Sequence, residues 1–150
     1  MVRILIIMGL ILGMTNCISM KTPDEFSGYI EDFRWDCTQN IDPVRCDNML
    51  DRINATIEVP DIPYAAGMCL RDYWFGTTGR VILVNMAEWE KLGPFQRKSL
   101  IYHELTHCLT GRLLHPDRQD SIMFYAMQRE EEIARTWSKE VKLLFKEYYK

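Results

Sequence analysis

The three histidines of this 150-residue chain lie in one short window, and their spacing restricts the fold more than any other feature. His103 and His107 are the first and last residues of the run HELTH. Residues at positions i and i+4 share one face of an α-helix. Both imidazoles therefore point the same way only if this stretch is helical. His115 follows beyond Gly111, so the chain must leave the helix and turn back for the third histidine to reach the other two.

The flanking residues predict the bounds of this helix and indicate a second one. Pro94 is favoured in a first helical turn, and Gly111 is the residue type that best tolerates a left-handed turn at a helix end. From about Gln128 to Tyr148, apolar and charged residues occupy opposite faces, which predicts an amphipathic closing helix packed on the core. Its apolar face contains Ile133, Trp137, Val141, Leu144, Phe145 and Tyr148.

Patterns upstream of the histidines predict another helix, a strand and a hairpin. Thr22 and Glu25 have the spacing of a capping box, which predicts a helix start. Alternating apolar residues from Ile53 to Val59 predict a strand. Residues 68–75 and 80–85 predict a hairpin, joined by a segment with two glycines. The second hairpin strand is apolar on both faces, so it should be buried, and it could also offer an edge to an extended peptide.

The N-terminal residues indicate export. Residues 1–16 have a short basic start followed by an apolar run of signal-peptide length, too short for a comfortable membrane span. Cys17 follows in a context that resembles a bacterial lipoprotein signal, where this cysteine carries the lipid. Plain secretion and an uncleaved anchor are the alternatives. We expect a tether at 17–21 and one domain over 22–150, outside the cytosol in every case.

The remaining four cysteines fit two disulfides in an exported protein. Three connectivities are possible. We favour Cys37 with Cys46, which closes a short loop, and Cys69 with Cys108, which ties the middle of the chain to the histidine-bearing helix. Reduced cysteines or a cysteine-rich metal site are the alternatives, although no pair is separated by only two residues.

The charge balance excludes two classes of partner. The chain has 18 Lys and Arg against 21 Asp and Glu, with a net charge of -3 and no basic run. Neither nucleic acid nor an anionic membrane surface is therefore an evident electrostatic partner. The only membrane contact we expect is a lipid on Cys17.

The histidine cluster predicts a zinc site with one ion per chain. Two imidazoles one helical turn apart can share a metal ion, and a catalytic zinc takes three protein ligands with one position open. His115 is the expected third ligand, with Asp117 as the alternative. Glu104 lies beside the ligands, where it can take a proton from a water held by the metal. Asp117 and Asp120 are candidate partners for the other imidazole nitrogens, while the glutamates at 88, 90 and 130–132 fit solvated faces.

The stretch from His103 to Tyr125 resembles the metzincins, zinc peptidases in which HExxH is followed by a glycine turn, a third ligand and a methionine turn. The resemblance implies that His103, His107 and His115 bind zinc and that Glu104 is the base. The spacing on each side of the glycine is one residue longer here than in metzincins, which keeps Asp117 open as third ligand.

The same resemblance implies roles for two residues further on. Met123 corresponds to the methionine of the turn beneath the metal, and Tyr125 to a tyrosine that steadies the oxyanion in some metzincins. The chain is also similar to small bacterial exported proteins that have a cysteine directly after the second histidine, as Cys108 is here.

These likenesses imply an α+β, zincin-like fold: a small β-sheet packed on an active-site helix, closed by a C-terminal amphipathic helix. The implied function is a zinc peptidase that cleaves peptide or protein substrates outside the cytosol. Two alternatives remain open at this point: a surface-anchored zinc-binding or interaction module without turnover, and hydrolysis of another amide such as one in the cell wall.

Overall fold

The computed structural model describes residues 23–59, 61–71 and 79–150. The expected signal peptide, the tether with Cys17, and Thr22 lie outside these residues. The helices are α1 (Asp24–Asn40), α2 (Pro43–Leu50), α3 (Met86–Trp89), α4 (Pro94–Thr110) and α5 (Glu130–Tyr148), and the strands are β1 (Ile53–Val59), β2 (Gly67–Arg71) and β3 (Arg80–Asn85). The fold is α+β, as predicted. No helix in the described part combines the length and apolar character that crossing a bilayer requires.

The three strands form a mixed sheet in the order β1-β3-β2. β3 pairs in parallel with β1 and antiparallel with β2, which confirms the pairing of the predicted hairpin, although residues 72–78 lie outside the described part. Val81, Ile82 and Val84 are buried, as their apolar run predicted. The expectation that β3 offers an edge to a peptide is wrong, because β3 is paired on both sides. Among the described strands, β2 is an edge, and it is the one next to α4.

The predicted bounds of α4 are confirmed. Pro94 occupies its first turn, and Gly111 ends it in the left-handed region with a φ of 75°. A side chain at that φ would be strained, so glycine is the residue that lets the chain leave the helix toward His115. The closing helix α5 is also confirmed, with Ile133, Val141 and Phe145 buried on its inner face.

Aromatic side chains join α1, α4 and α5 into one core. The ring of Phe33 on α1 lies 5.0 Å from that of Tyr102 on α4, 5.2 Å from that of Phe145 on α5, and 6.1 Å from that of Tyr149 just beyond α5. All four side chains are buried. Burial of such rings is the main favourable term that fixes these helices together.

Two local features differ from the sequence expectation. Pro23 is the N-cap of α1, and Glu25 accepts a hydrogen bond from the indole N–H of Trp89 at 2.6 Å instead of closing a capping box. The segment that follows Cys37 was expected to be a loop, but it contains α2. Its start has a recognisable signal, since the Asp42 carboxylate caps Arg45 N–H at 2.9 Å and Pro43 follows the cap.

Both predicted disulfides are confirmed. Cys37 and Cys46 join α1 to α2, and Cys69 and Cys108 join β2 to α4. Disulfides persist in oxidising compartments, so the two bridges favour a location outside the cytosol.

The sequence suggested that Glu130 belongs to a solvated face, but in the structure this residue caps α4 from the start of α5. Its carboxylate accepts the backbone N–H groups of Phe95 and Gln96, each at 3.0 Å. The first N–H groups of a helix lack partners within the helix, and the positive end of the helix dipole attracts a carboxylate. Glu130 therefore fixes the start of α4 through a contact that spans more than 30 residues of sequence.

Glu130→Gln should lower the free energy of unfolding by about 1 kcal/mol, because it removes the charge and one of the two acceptor oxygens at the helix start. Urea unfolding measures this. Glu131→Gln is the matched control, since the neighbouring side chain is exposed and also lies in the first turn of α5. Equal changes in the two variants would show that the capping contact contributes nothing.

Candidate metal centre

The three histidines converge on one point. The Nε2 atoms of His103 and His107 are 2.9 Å apart, and each lies 3.1 Å from Nε2 of His115. Among the described residues, these three form the one group of His, Cys, Asp or Glu side chains placed closely enough to hold a metal ion. The first two are one turn apart on α4, and the third reaches them from the loop that follows Gly111.

Backbone carbonyls orient the two helical imidazoles. His103 Nδ1 lies 2.8 Å from the carbonyl oxygen of Ile122, and His107 Nδ1 lies 2.5 Å from that of Arg112. A carbonyl oxygen can only accept, so each Nδ1 carries the proton and donates it. In a neutral imidazole the Nε2 atom then holds a lone pair, so both lone pairs point at the shared centre.

Two arginines brace the loop that carries His115. Arg112 donates to the backbone carbonyl of Glu147 at 3.0 Å and lies over the ring of Tyr148. Arg118 donates to the Glu140 carboxylate at 2.5 Å, and that carboxylate is buried on α5 with 3% of the residue exposed. His115 lies three residues from each arginine, so α5 holds the third imidazole from both sides. No local sequence pattern identifies these partners, which lie 22 and 35 residues away.

Glu104 is buried between α4 and β2, facing the same cleft as the histidines. The backbone N–H of Cys69 donates a hydrogen bond to its carboxylate. Gly67 makes this approach possible, because a Cβ atom there would lie 2.9 Å from Cγ of Glu104. Cys108 lies one turn beyond Glu104 on α4 and is joined to Cys69. The disulfide therefore fastens the Glu104 face of α4 to β2.

Burial sets the protonation of the central groups. It raises the pKa of Glu104 to about 8, although the Cys69 N–H opposes the shift. It is the main cause that lowers the pKa of His103 to about 4; the hydrogen bond to the Ile122 carbonyl opposes the shift, and the two neighbouring histidines add to it. The pKa of His115 is also lowered, first by burial and then by His107. At neutral pH the imidazoles of His103 and His115 are therefore held neutral, which is the form that binds a metal.

The other predicted site residues have mixed outcomes. Asp117 is exposed and does not belong to the histidine group, so the structure brings His115 and not Asp117 to the centre. Asp120 pairs with Arg118 and Lys139, each at 3.3 Å. The expectation that Asp117 or Asp120 supports the imidazoles of His103 and His107 is wrong, because backbone carbonyls do so.

Met123 and Tyr125 follow the carbonyl that holds His103. Met123 is fully buried in the hydrophobic core, in a turn closed by its N–H on the Ser121 hydroxyl at 3.1 Å. Its neighbours Ile122 and Phe124 line the cleft, so the turn contacts the site through those residues. Tyr125 is 74% exposed on the cleft rim. Its role at an oxyanion stays a prediction.

The cleft above the histidines has a volume of about 390 Å³ and is open to solvent. Its lining includes residues 64–69, which contain the first half of β2, and residues 122 and 124–128. Asn85 holds the segment before β2 in place, since its amide donates to the carbonyl of Ala65 at 2.9 Å and to that of Ile62 at 3.2 Å.

The donor set fits a metal ion. Tetrahedral zinc with imidazole bonds of about 2.0–2.1 Å places neighbouring nitrogens about 3.3 Å apart, near the observed 2.9–3.1 Å. At least two of the three nitrogens face each other with lone pairs and no hydrogen between them. A bound cation would offset the repulsion between these lone pairs. Imidazole suits zinc, copper, iron and nickel, whereas magnesium and calcium prefer oxygen. The three histidines could therefore hold a metal ion.

No protein-family model matches this chain, and comparisons with curated proteins and with solved structures likewise find no match.

Arg118→Met should weaken the affinity of the three histidines for added zinc, the probe metal ion, by about tenfold or more, because the loop carrying His115 loses its contact with Glu140. Competition with a chelating dye measures the affinity. Arg129→Met is the matched control, since Arg129 pairs with Glu132 on the surface, away from that loop. Unchanged zinc affinity in Arg118→Met, with the protein folded, would contradict the bracing role.

Glu104→Gln should stabilise the metal-free protein at alkaline pH. Burial raises the pKa from 4.5 to about 8, so the folded protein keeps a proton that the unfolded chain releases. In the wild type, the protonated Glu104 carboxyl contributes its full stabilisation below pH 4.5, and this stabilisation is lost as the pH rises through about 8. The range between these two pKa values is the window of the test. The variant lacks this loss, so its free energy of unfolding should exceed that of wild type by a few kcal/mol above the window. Urea unfolding in chelator, below and above that window, checks the sign.

Proposed function

We propose that this chain is a zinc-dependent peptidase that hydrolyses peptide bonds outside the cytosol. His103, His107 and His115 would hold the zinc, and Glu104 would be the general base. The observation that carries the proposal is the buried Glu104 carboxyl, whose pKa is raised, in the same cleft as three converging imidazole nitrogens. A metal with three protein ligands and an accessible fourth side is the arrangement typical of catalytic zinc.

A zincin-like fold with likeness to the metzincins is part of this proposal. Three features support it: the HExxH helix α4 packs beside an antiparallel edge strand, β2, a left-handed glycine ends that helix, and the chain then returns with a third histidine. A substrate in extended form would lie along β2, where strand edges bind peptides through backbone hydrogen bonds.

The proposed mechanism assigns the proton transfers to Glu104. When bound, zinc would polarise the scissile carbonyl and lower the pKa of a water molecule. Glu104 takes a proton from the attacking water and passes it to the amine nitrogen as the carbon–nitrogen bond breaks. Because its pKa is raised to about 8, the carboxyl can both accept and release a proton near neutral pH. Tyr125, on the rim, is our candidate donor to the developing oxyanion.

We also propose that the protein is exported and anchored by lipid on Cys17. Both disulfides support export, and the signal-like N-terminal sequence supports the anchor.

The purified protein should bind about one zinc per chain after reconstitution, as measured by elemental analysis. His115→Ala should lower the zinc affinity because it removes the third nitrogen, while Asp117→Ala, the matched control, should leave it unchanged. Zinc-loaded protein should cleave peptides and lose this activity in chelator. Glu104→Gln should keep its zinc and lose about 10²-fold or more in kcat, because it removes the base.

The outcomes separate the competing functions. Full zinc occupancy without turnover on peptide and muropeptide panels would favour a zinc-binding or interaction module. Turnover on muropeptides alone would favour cell-wall amide hydrolysis. Failure of the wild-type protein to bind zinc would overturn the proposal.

A further inference from the structure

Exposed apolar side chains cluster around the cleft. Among the described residues, eight large apolar side chains are exposed, and five of them line the cleft. These five are Tyr64, Met68, Leu113, Tyr125 and Met127. Leu114 borders an adjoining cavity beside His115, and only Trp35 and Val44 lie elsewhere, on α1 and α2. Scattered apolar residues are normal on a protein surface, but a cluster marks a binding site.

The cluster comes from two separate segments that line the same cleft as the candidate catalytic groups. Tyr64 and Met68 belong to the segment that includes β2, while Tyr125 and Met127 belong to the segment before α5. Glu104 and the helical histidines line the same cleft. A ligand that reaches these groups therefore meets apolar side chains from both segments.

The cleft offers little to a charged ligand. The described residues that line it include no Lys, Arg or Asp, although 26% of the whole chain is charged. Its acidic and basic side chains are Glu104 and the three histidines, which the proposed chemistry already uses. Charged side chains of a ligand would lose hydration here without gaining a partner, so uncharged ones are favoured.

Tyr64 is held outward by its backbone. Its φ is 62°, in the left-handed region that is unfavourable for a non-glycine residue. The side chain is fully exposed, so no core contact offsets that cost. Asn85 fixes the flanking carbonyls of Ile62 and Ala65. Strain of this kind that the surroundings maintain is typical of functional sites.

We propose that the cleft selects extended polypeptide segments with bulky, uncharged apolar side chains on both sides of the bond above Glu104. This inference rests on the proposed function, since it names the substrate class of the same site. The alternating side chains of an extended peptide would contact the two apolar segments, one with Tyr64 and Met68 and the other with Tyr125 and Met127. The peptide backbone would lie along β2.

The test measures binding without turnover, in the zinc-loaded Glu104→Gln protein. The probes are two labelled dodecapeptides of one design, with Leu, Phe and Met at alternate positions in the first and Lys and Glu at those positions in the second. Fluorescence anisotropy should give an affinity for the apolar peptide at least about tenfold higher. Tyr64→Ser and Met127→Ser, one from each segment, should each weaken its binding by about fivefold or more.

Trp35→Ser and Val44→Ser are the matched controls, because they remove exposed apolar groups far from the cleft. They should leave the affinity unchanged. Equal binding of the two peptides, or equal losses in control and rim variants, would overturn the inference. Binding of the protein to phosphatidylcholine vesicles that is lost only in the rim variants would also overturn it, because the rim would then face a membrane.

Failure of this inference is distinguishable from failure of the proposed function. Zinc-dependent cleavage of peptides without any apolar preference would sink the inference alone. The predicted binding preference in a wild-type protein that holds zinc but cleaves nothing would sink the peptidase proposal, and the cleft would remain a binding site for apolar peptides.

Discussion

The close approach of three imidazole nitrogens, 2.9–3.1 Å apart, is the constraint that the surrounding contacts have to satisfy. Lone pairs that face each other repel, so the contacts around the histidines have to hold them in place, and a bound cation would stabilise the same arrangement. Helical geometry fixes two of the nitrogens, and backbone carbonyls fix their ring orientation. The third depends on a loop that is braced to α5. The centre therefore belongs to α4, α5 and the connection between them, and not to the HExxH helix alone.

Helix α4 carries the histidines and Glu104 on two different faces. Its histidines face the loop after Gly111, and Glu104 with Cys108, one turn apart, face β2. Contact with Gly67 and Cys69 buries the Glu104 carboxyl, and this burial moves its pKa toward neutrality. The same packing that stabilises the strand against the helix thus sets the protonation of the Glu104 carboxyl. The position of β2 at the sheet edge also leaves the cleft open beside that group.

The parts of this arrangement that follow local rules could be predicted from the sequence. Pro94 and Gly111 mark the ends of α4, the spacing of the histidines brings them together, and the even number of cysteines beyond Cys17 predicts two disulfides, whose favoured pairing was one of three possible. Side-chain hydrogen bonds and ion pairs between distant segments could not be predicted. The cap that Glu130 provides for α4 and the pairing of Arg118 with buried Glu140 leave no local pattern, since each depends on how two helices are packed. The edge position of β2 likewise depends on which strands pair.

The bridge between Cys69 and Cys108 gives the cleft a dependence on the redox state of its surroundings. A chain kept in a reducing compartment would lack the covalent joint between β2 and α4, and Glu104 would then rest on non-covalent packing alone. Thiols are oxidised where secreted proteins mature, so in an exported chain the joint would form there. For the proposed peptidase, the completion of the cleft would thereby be tied to the compartment in which the chain matures, and cleavage of proteins would be withheld from the cell interior.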